Sequence, residues 1–222
     1  TDDLDRSPRT LDADLARCRE LGVDTVFAPT SHGIYPEGFS THVEVEGVTG
    51  PLEGVHRPGH FRGVTTVVTK LLNLAGPCVA VFGRKDYQQW RTLARMVRDL
   101  DMPIEVVGAP IVRAADGLAL SSRNVYLSAE ERARALGLVE GLRAAWDAFA
   151  AGERDAARLL ALARAPVEAR FDRVDYVALA DADDLGALSG AIGARAVLAG
   201  AAHLGGTRLI DNVVPGEDPR PG

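Results

Sequence analysis

Residues 78–89 read CVAVFGRKDYQQ, and this stretch decides the fold of the chain. Its first five residues are apolar, which is typical of a short buried strand, and Gly83 ends that strand. Residues 86–100 then have the spacing of a helix, and residues 104–107 form a second apolar run. The buried face of this helix is predicted to consist of Leu93, Met96, Val97 and Leu100. A strand, a helix and another strand in this order predict a parallel sheet flanked by helices.

Upstream of this stretch, the sequence continues the alternation of helices and strands. Thr10 is predicted to cap a helix at 11–21, and the apolar residues 23–28 predict a short buried strand. Residues 30–61 are rich in Gly, Pro, His and Glu, so we expect a long irregular connection there. A helix at 63–74 follows. The predicted fold class is therefore α/β.

The pattern changes where a first domain, 1–110, gives way to a second, 111–222. In the second domain Ser128 is predicted to cap a helix that runs to Ala150, and Asp155 begins another that ends at Phe171. Three strands are expected after these helices: 174–179, 194–201 and 207–210. This order predicts a small α+β unit. The tail from Pro215 onwards is rich in Pro and Gly and is predicted to be frayed.

The composition excludes several classes of protein. The chain has 222 residues, of which 46% are hydrophobic and 25% charged, as in ordinary globular proteins. Its formal net charge of -6 argues against binding to nucleic acid, which needs a basic face. No run approaches the roughly 20 apolar residues of a membrane span. Cys18 and Cys78 lie far apart without metal-binding spacing, which predicts free thiols in a reducing compartment.

The first candidate site is the turn at which the strand of residues 78–82 meets the following helix. Ligands of open α/β sheets bind outside the carboxyl ends of the strands, and helix N-termini favour phosphate. Gly83 permits close approach of a ligand, and Lys85 can place its charge on a phosphate. Asp86 can cap the helix or accept ribose hydroxyls. A capped helix with solvated charges is the alternative, and the motif alone does not exclude it.

The second candidate site follows the turn predicted at Asp116-Gly117. Ser121, Ser122 and Arg123 place two hydroxyls and a guanidinium on successive residues. This combination suits a phosphate group, because Arg binds oxyanions through a planar fork of donors. The alternative is an ordinary polar loop before a helix.

The histidines do not predict a metal site. His56 and His60 flank residues 57–59, Arg-Pro-Gly, which cannot be helical, and no carboxylate or Cys neighbours complete a zinc site. We therefore expect no protein-bound metal, and His60 is predicted to be a loop residue near the substrate pocket.

Considered together, several motifs resemble those of one family. In chain order they are YPEG at 35–38, RPGHFRGV at 57–64, FGRKDYQQ at 82–89, PIVR at 110–113 with Asp116-Gly117, SSRN at 121–124 and GTRLIDN at 206–212. In spacing and identity they closely resemble the pantoate–β-alanine ligase (pantothenate synthetase) family. The resemblance covers essentially the whole chain.

This resemblance implies an incomplete Rossmann-like sheet domain of the nucleotidyltransferase superfamily, followed by the α+β domain as a lid. It also implies an ATP-dependent ligase: pantoate attacks the α-phosphate of ATP to give pantoyl adenylate and pyrophosphate, and β-alanine then displaces AMP. The family further implies a cytoplasmic homodimer, with Mg²⁺ held chiefly by the phosphates. No nucleic-acid or membrane partner is implied.

The resemblance also implies roles for individual residues, by matched position. Gln89 would hydrogen-bond pantoate, and the backbone of Val112 would meet the adenine. The expected catalytic residues are Lys85, Ser121, Ser122 and Arg123. The expected ATP-binding residues are Gly83, Arg84, Lys85, Asp86, Val112, Leu120, Ser121, Ser122 and Arg123.

The chain departs from the family pattern at a few positions. Arg84 stands where the family usually has Glu, and Leu120 where it usually has Met. Ala13 and Arg17 stand where some members have an acidic and an amide group near the metal. The His-x-Gly-His signature of the family is absent, and we expect it upstream of Thr1.

Because that signature supplies imidazoles to the adenylation step, we expect the isolated chain to be inactive or very weak. Two alternatives stay open. One is a non-catalytic remnant that binds nucleotide or dimerises, and the other is an adenylyltransferase with a different acceptor.

Overall fold

The computed structural model describes residues 11–193 and 195–222, and this part of the chain divides after Thr41 into two compact units. The first unit contains helix α1, Leu11–Glu20, and the short helix α2, Ser31–Ile34. The helix predicted at 11–21 is therefore confirmed. The predicted cap, Thr10, lies outside the described residues.

The strand predicted at 23–28 is wrong. These residues are irregular, and Val23, Val26 and Phe27 are 47%, 44% and 61% exposed. A strand needs a neighbour for its backbone N–H and C=O groups, and within residues 11–193 and 195–222 no strand pairs with this segment. The apolar run alone therefore did not determine its backbone conformation.

In the second unit, a two-stranded parallel sheet forms from β1, Cys78–Gly83, and β2, Ile104–Ala109. Cys78 pairs with Ile104 and Gly83 with Ala109. Helix α5, Tyr87–Asp99, connects the two strands. Two helices precede β1 in this unit, α3 (Glu53–His56) and α4 (His60–Ala75). Helix α6, Ala129–Ala150, follows β2. The strand–helix–strand prediction and the α/β class are confirmed.

Helix α5 packs its apolar face beneath this sheet. Leu93, Met96 and Val97 are buried, as predicted. Leu100 was predicted to point inward as well, but it is 51% exposed. The helix ends at Asp99, so Leu100 has left the helical repeat that would have aligned it with Met96.

The carboxyl-terminal part contains helices α6 and α7, Ala156–Arg170, which pack on an antiparallel sheet of β3, Arg173–Asp181, β4, Ala196–Leu204, and β5, Thr207–Val213. Ser128 caps α6 in a reciprocal pair with Glu131, and Asp155 accepts a hydrogen bond from the Arg158 N–H at the start of α7. A Cβ added to Gly141 of α6 would lie 2.1 Å from the carbonyl oxygen of Ala163 of α7, which shows how closely the two helices approach.

All three predicted strands are present, with shifted ends. Of the predicted strand at 194–201, Ala194 lies outside the described residues. The last strand continues beyond the predicted end, Ile210, to Val213. This extension brings Asp211 and Asn212 into regular structure, and both are 3% exposed.

The tail from Pro215 onwards is tied to the rest of the unit rather than frayed as predicted. Trp146 Nε1 donates to the carbonyl of Asp218 (3.1 Å), and Arg143 Nε donates to that of Pro221 (2.9 Å). Arg220 also pairs with Asp147 through two hydrogen bonds of 2.6 and 2.7 Å. Side chains on α6 thus compensate for a composition that disfavours regular structure.

The domain boundary at residue 110 stays a prediction. Among the helices of the described residues, none combines the length and the apolar composition needed to cross a bilayer.

Candidate active site

The first candidate loop comprises residues 83–86, between β1 and α5. Gly83 has an extended backbone (φ -71°), and a Cβ placed there would meet nothing within 4 Å. Arg84–Asp86 form a single 3₁₀ turn. Asp86 does not cap α5 through its side chain, so that option is wrong. Its half-exposed carboxylate instead lies 3.9 Å from Lys85 Nζ.

The second candidate loop comprises residues 121–124, at the end of a small hairpin. Leu120 N donates to Val112 O (2.9 Å), and Gly117 has a φ of +90° at the predicted turn. The turn at Asp116-Gly117 is therefore confirmed. Beyond the hairpin, the Ser121 hydroxyl accepts a hydrogen bond from the Arg123 N–H (3.2 Å) and begins the 3₁₀ turn Ser122–Tyr126.

The fold brings these two loops together around Lys85. One cavity is lined by Lys85 from the first loop, by Ser121 and Arg123 from the second, and by Asp211 from β5. The Lys85 side chain is only 19% exposed. A cation and two side chains suited to oxyanions thus border one cavity, although the sequence separates them.

A second cavity adjoins the first at Lys85. It is lined by Lys85 and Gln89, by Arg57 directly after α3, by His60 at the start of α4, and by further residues of β5. Lys85, Ile210 and Asp211 line both cavities. Lys85 therefore stands at the junction, with Ser121 and Arg123 on one side and Asp86 and Gln89 on the other.

Several predicted ATP-binding residues lie outside these two cavities. Val112 and Leu120 are neighbours on the hairpin and are 66% and 51% exposed. Arg84 directs its guanidinium to the carboxylate of Asp218 at 2.8 Å. The others that line neither cavity are Gly83 and Ser122.

The acid beneath Lys85 is fully enclosed. Arg113 donates two hydrogen bonds to Asp211, of 2.6 and 3.0 Å. Burial raises the pKa of Asp211, whereas the charges of Arg113 and Lys85 act to lower it. The charges of Arg113 and Lys85 therefore stabilise the ionised form of the buried Asp211 carboxylate.

Sequence reasoning missed an ion-pair network between the two cavities, in which Glu53 and Tyr176 line the second cavity and Arg208 lines the first. Arg208 donates to both carboxylate oxygens of Glu53 (2.7 and 2.8 Å) and to Asp175 (2.8 Å), and the Tyr176 hydroxyl also donates to Glu53 (2.8 Å). Burial opposes ionisation of Glu53, but the hydrogen bonds from Arg208 and Tyr176 hold its pKa below the usual value. The one available signal was the charge of Arg208 within the predicted strand at 207–210.

Gln88 is a second residue that sequence reasoning missed. Its side-chain oxygen accepts from the Glu53 N–H (3.0 Å), and its Nε2 donates to the carbonyls of Val48 and Pro51 (2.9 and 2.8 Å). Gln88 thus fixes the segment 48–53, which forms part of the cavity wall, while the adjacent Gln89 faces the cavity.

His56 and His60 lie on either side of a break between two helices. Helix α3 ends at His56 and α4 begins at His60, which confirms the break between them. His60 lines the second cavity, although it is the first residue of a helix rather than a loop residue as predicted. Within the described ranges, no three His, Cys, Asp or Glu residues are grouped so as to hold a metal ion.

Comparison with known proteins identifies the family. The model of the pantoate-β-alanine ligase family matches residues 1–214. The chain belongs to the pantoate-β-alanine ligase family. It is 52% identical over 212 residues to a pantothenate synthetase of Syntrophotalea carbinolica and 51% identical over 214 residues to one of Moorella thermoacetica. These matches cover 95% and 96% of this chain and 75% of each relative.

Solved structures of the same family agree. The crystal structure of pantothenate synthetase from Thermus thermophilus superposes with a TM-score of 0.89 at 47% identity, covering 94% of this chain and 75% of that one. The enzyme of Francisella tularensis, described as complexed with beta-gamma ATP and beta-alanine, gives a TM-score of 0.76 at 30% identity, covering 96% and 73%. The predicted family resemblance is confirmed.

Proposed function

We propose that this chain carries the phosphate and pantoate sides of an ATP-dependent ligase that joins pantoate to β-alanine. The observation that supports this most directly is the junction of two cavities at Lys85. A carboxylate oxygen of pantoate would attack the α-phosphorus of ATP, and the bond to pyrophosphate would break. The amine of β-alanine would then attack the acyl carbon of pantoyl adenylate, lose a proton and release AMP.

The geometry of the first cavity supports assigning the phosphates of ATP to it. Lys85, Ser121 and Arg123 border it, and Ser122 adjoins them; these four are the proposed catalytic residues. Charge builds up on the phosphate oxygens in the transition state, and preorganised cations stabilise it there. Gly83 and Asp86 would border the ribose and phosphates. Because Asp218 engages its guanidinium, Arg84 would contribute mainly through the loop backbone.

The exposed pair on the hairpin supports an adenine position. The carbonyl of Val112 already accepts the Leu120 N–H, so the Val112 N–H is the backbone group left for the base. The Val112 and Leu120 side chains offer apolar surface beside it. Gln89, in the adjoining cavity, would hydrogen-bond pantoate.

Mg²⁺ would arrive with the nucleotide. Since the described residues offer no cluster of acidic or imidazole ligands, we propose that phosphate oxygens and water hold the ion. When bound, it would neutralise phosphate charge. We also propose that the protein is cytoplasmic and forms a homodimer. Sedimentation of the purified protein would test the oligomeric state.

We further propose that the 222 residues alone catalyse poorly, because they contain no His-x-Gly-His motif. The test is pantoate-dependent exchange of pyrophosphate into ATP by Thr1–Gly222, alone and with an added amino-terminal segment bearing that motif. We expect exchange only in the second case. Exchange at a normal rate by the chain alone would refute the dependence, and exchange with another hydroxy acid but not pantoate would refute the substrate.

The second candidate function is a nucleotide-binding remnant without ligase activity. The presence of Lys85, Gln89 and the Ser121–Arg123 group together favours the ligase over this alternative. Binding of ATP without any exchange, even with the added segment, would establish the remnant.

A further inference from the structure

Two adjacent residues of β5 each hold a different loop of the site. Asn212 Nδ2 donates to the carbonyls of Arg84 (3.0 Å) and Lys85 (2.8 Å) in the first loop. Asp211 accepts both hydrogen bonds from Arg113, at the base of the hairpin that leads to the second loop.

The strand that carries this pair is itself rigidly held. Gly200 and Ala199 of β4 pair with Asp211 and Asn212, respectively, and both side chains are buried. The Asn212 N–H also donates to Asp211 Oδ1 (2.8 Å), which links the two residues directly. Groups supported by a paired strand are located more precisely than groups on loops.

We propose that Asp211 and Asn212 are positioning residues that set the spacing between Lys85 and the second loop. That this spacing serves ATP binding rests on the proposed function, whereas the positioning of the two loops does not. Both carbonyls that Asn212 holds belong to the turn that presents Lys85, so the amide fixes the direction of the lysine side chain without contacting it.

The chemistry requires an amide at position 212. Its NH₂ group has two donors, which is the number needed for two carbonyls. A carboxylate there would face the same carbonyls with no donor. Moreover, Asn212 Oδ1 is buried and has no partner within the described part of the chain. The residue therefore keeps one unsatisfied acceptor while its donors hold the loop.

Amide hydrogen exchange of the ligand-free chain tests the proposal. In Asn212→Ala we expect exchange at residues 84–88 to rise about tenfold, because two hydrogen bonds to the turn are lost. In Asp211→Asn we expect the rise at 113–124 instead. The control is Val213→Ala, on the same strand, which removes a buried side chain from the core between the helices and the antiparallel sheet. It should lower overall stability without a selective change at either loop.

Calorimetric titration with MgATP supplies the second measurement. We expect Asn212→Ala to bind MgATP about tenfold more weakly, which corresponds to about 1.4 kcal/mol. Asn212→Ser, which keeps one donor, should be intermediate and serves if the alanine variant does not fold. Exchange at 84–88 that rises no more than in Val213→Ala would overturn the proposal. Failure of the unmodified chain to bind MgATP would refute the proposed nucleotide site and leave the exchange result to decide positioning.

Discussion

The two loops around Lys85 are held in place in different ways. The first, at 83–86, is anchored from afar: Asn212 binds its backbone and Asp218 binds its arginine. The second, at 121–124, is anchored mostly from within, through Ser121 and the turn that follows it. Its hairpin base is held in addition by a distant residue, Asp211. A loop with distant anchors moves when another part of the fold moves, whereas a locally anchored loop keeps its shape.

The largest effect is expected at that hairpin base. Arg113→Ala should lower the free energy of unfolding by about 3–5 kcal/mol, because it leaves Asp211 buried without its partner. Urea denaturation measures this loss.

Arg132→Ala is the matched control for this substitution. Arg132 pairs with Asp116 of the same hairpin at 2.9 Å, but both side chains are about a third exposed. Its removal should cost less than about 1 kcal/mol. Equal losses in the two variants would show that the buried pair does not anchor the hairpin.

The next effect concerns chemistry carried by the first loop. Lys85→Ala should slow adenylation by about 100-fold or more, since it removes a preorganised charge from the reacting phosphate. Pantoate-dependent pyrophosphate exchange in an active form measures the rate. The control is Lys70→Ala, on α4 and outside both cavities, which should leave the rate unchanged. An unchanged rate in Lys85→Ala would remove this residue from the mechanism.

Sequence reasoning succeeded where the determining contacts are local. The Asp116-Gly117 turn and the Ser128 cap depend on neighbours within a few residues, and the strand–helix–strand order supplies β1 with its own partner, β2, directly after α5; all were predictable. It failed at 23–28, where strand formation needs a pairing partner that no local pattern supplies.

The anchors of the first loop could not be predicted for the same reason. Asn212 appeared only as a motif letter at the end of a strand, and its two acceptors lie 127 and 128 positions away. Asp218 was assigned to a frayed tail. The choice between Gln88 and Gln89 as the structural amide likewise depends on the segment 48–53, which has no regular pattern.

A smaller effect is expected at Arg84, which we expect to stabilise the first loop rather than to bind the phosphates. The Arg84–Asp218 pair is partly buried, with side chains 20% and 14% exposed. Arg84→Glu should cost about 1–2 kcal/mol of unfolding free energy, and adding Asp218→Arg should recover part of it. A double-mutant cycle by urea denaturation gives the coupling. A coupling near zero would mean that the tail does not hold the first loop.

The smallest effect is expected in the locally anchored loop and comes from its two serines. Ser121→Ala removes the hydroxyl that accepts the Arg123 N–H, so it should cost about 1 kcal/mol of stability and weaken MgATP binding as well. Ser122→Ala removes an exposed hydroxyl that does not cap the 3₁₀ turn, so it should weaken MgATP binding while stability is unchanged. Urea denaturation and calorimetry on the same two proteins separate these outcomes. If both serines affected stability equally, Ser121 would not be the internal anchor, and the second loop would depend on distant contacts just as the first does.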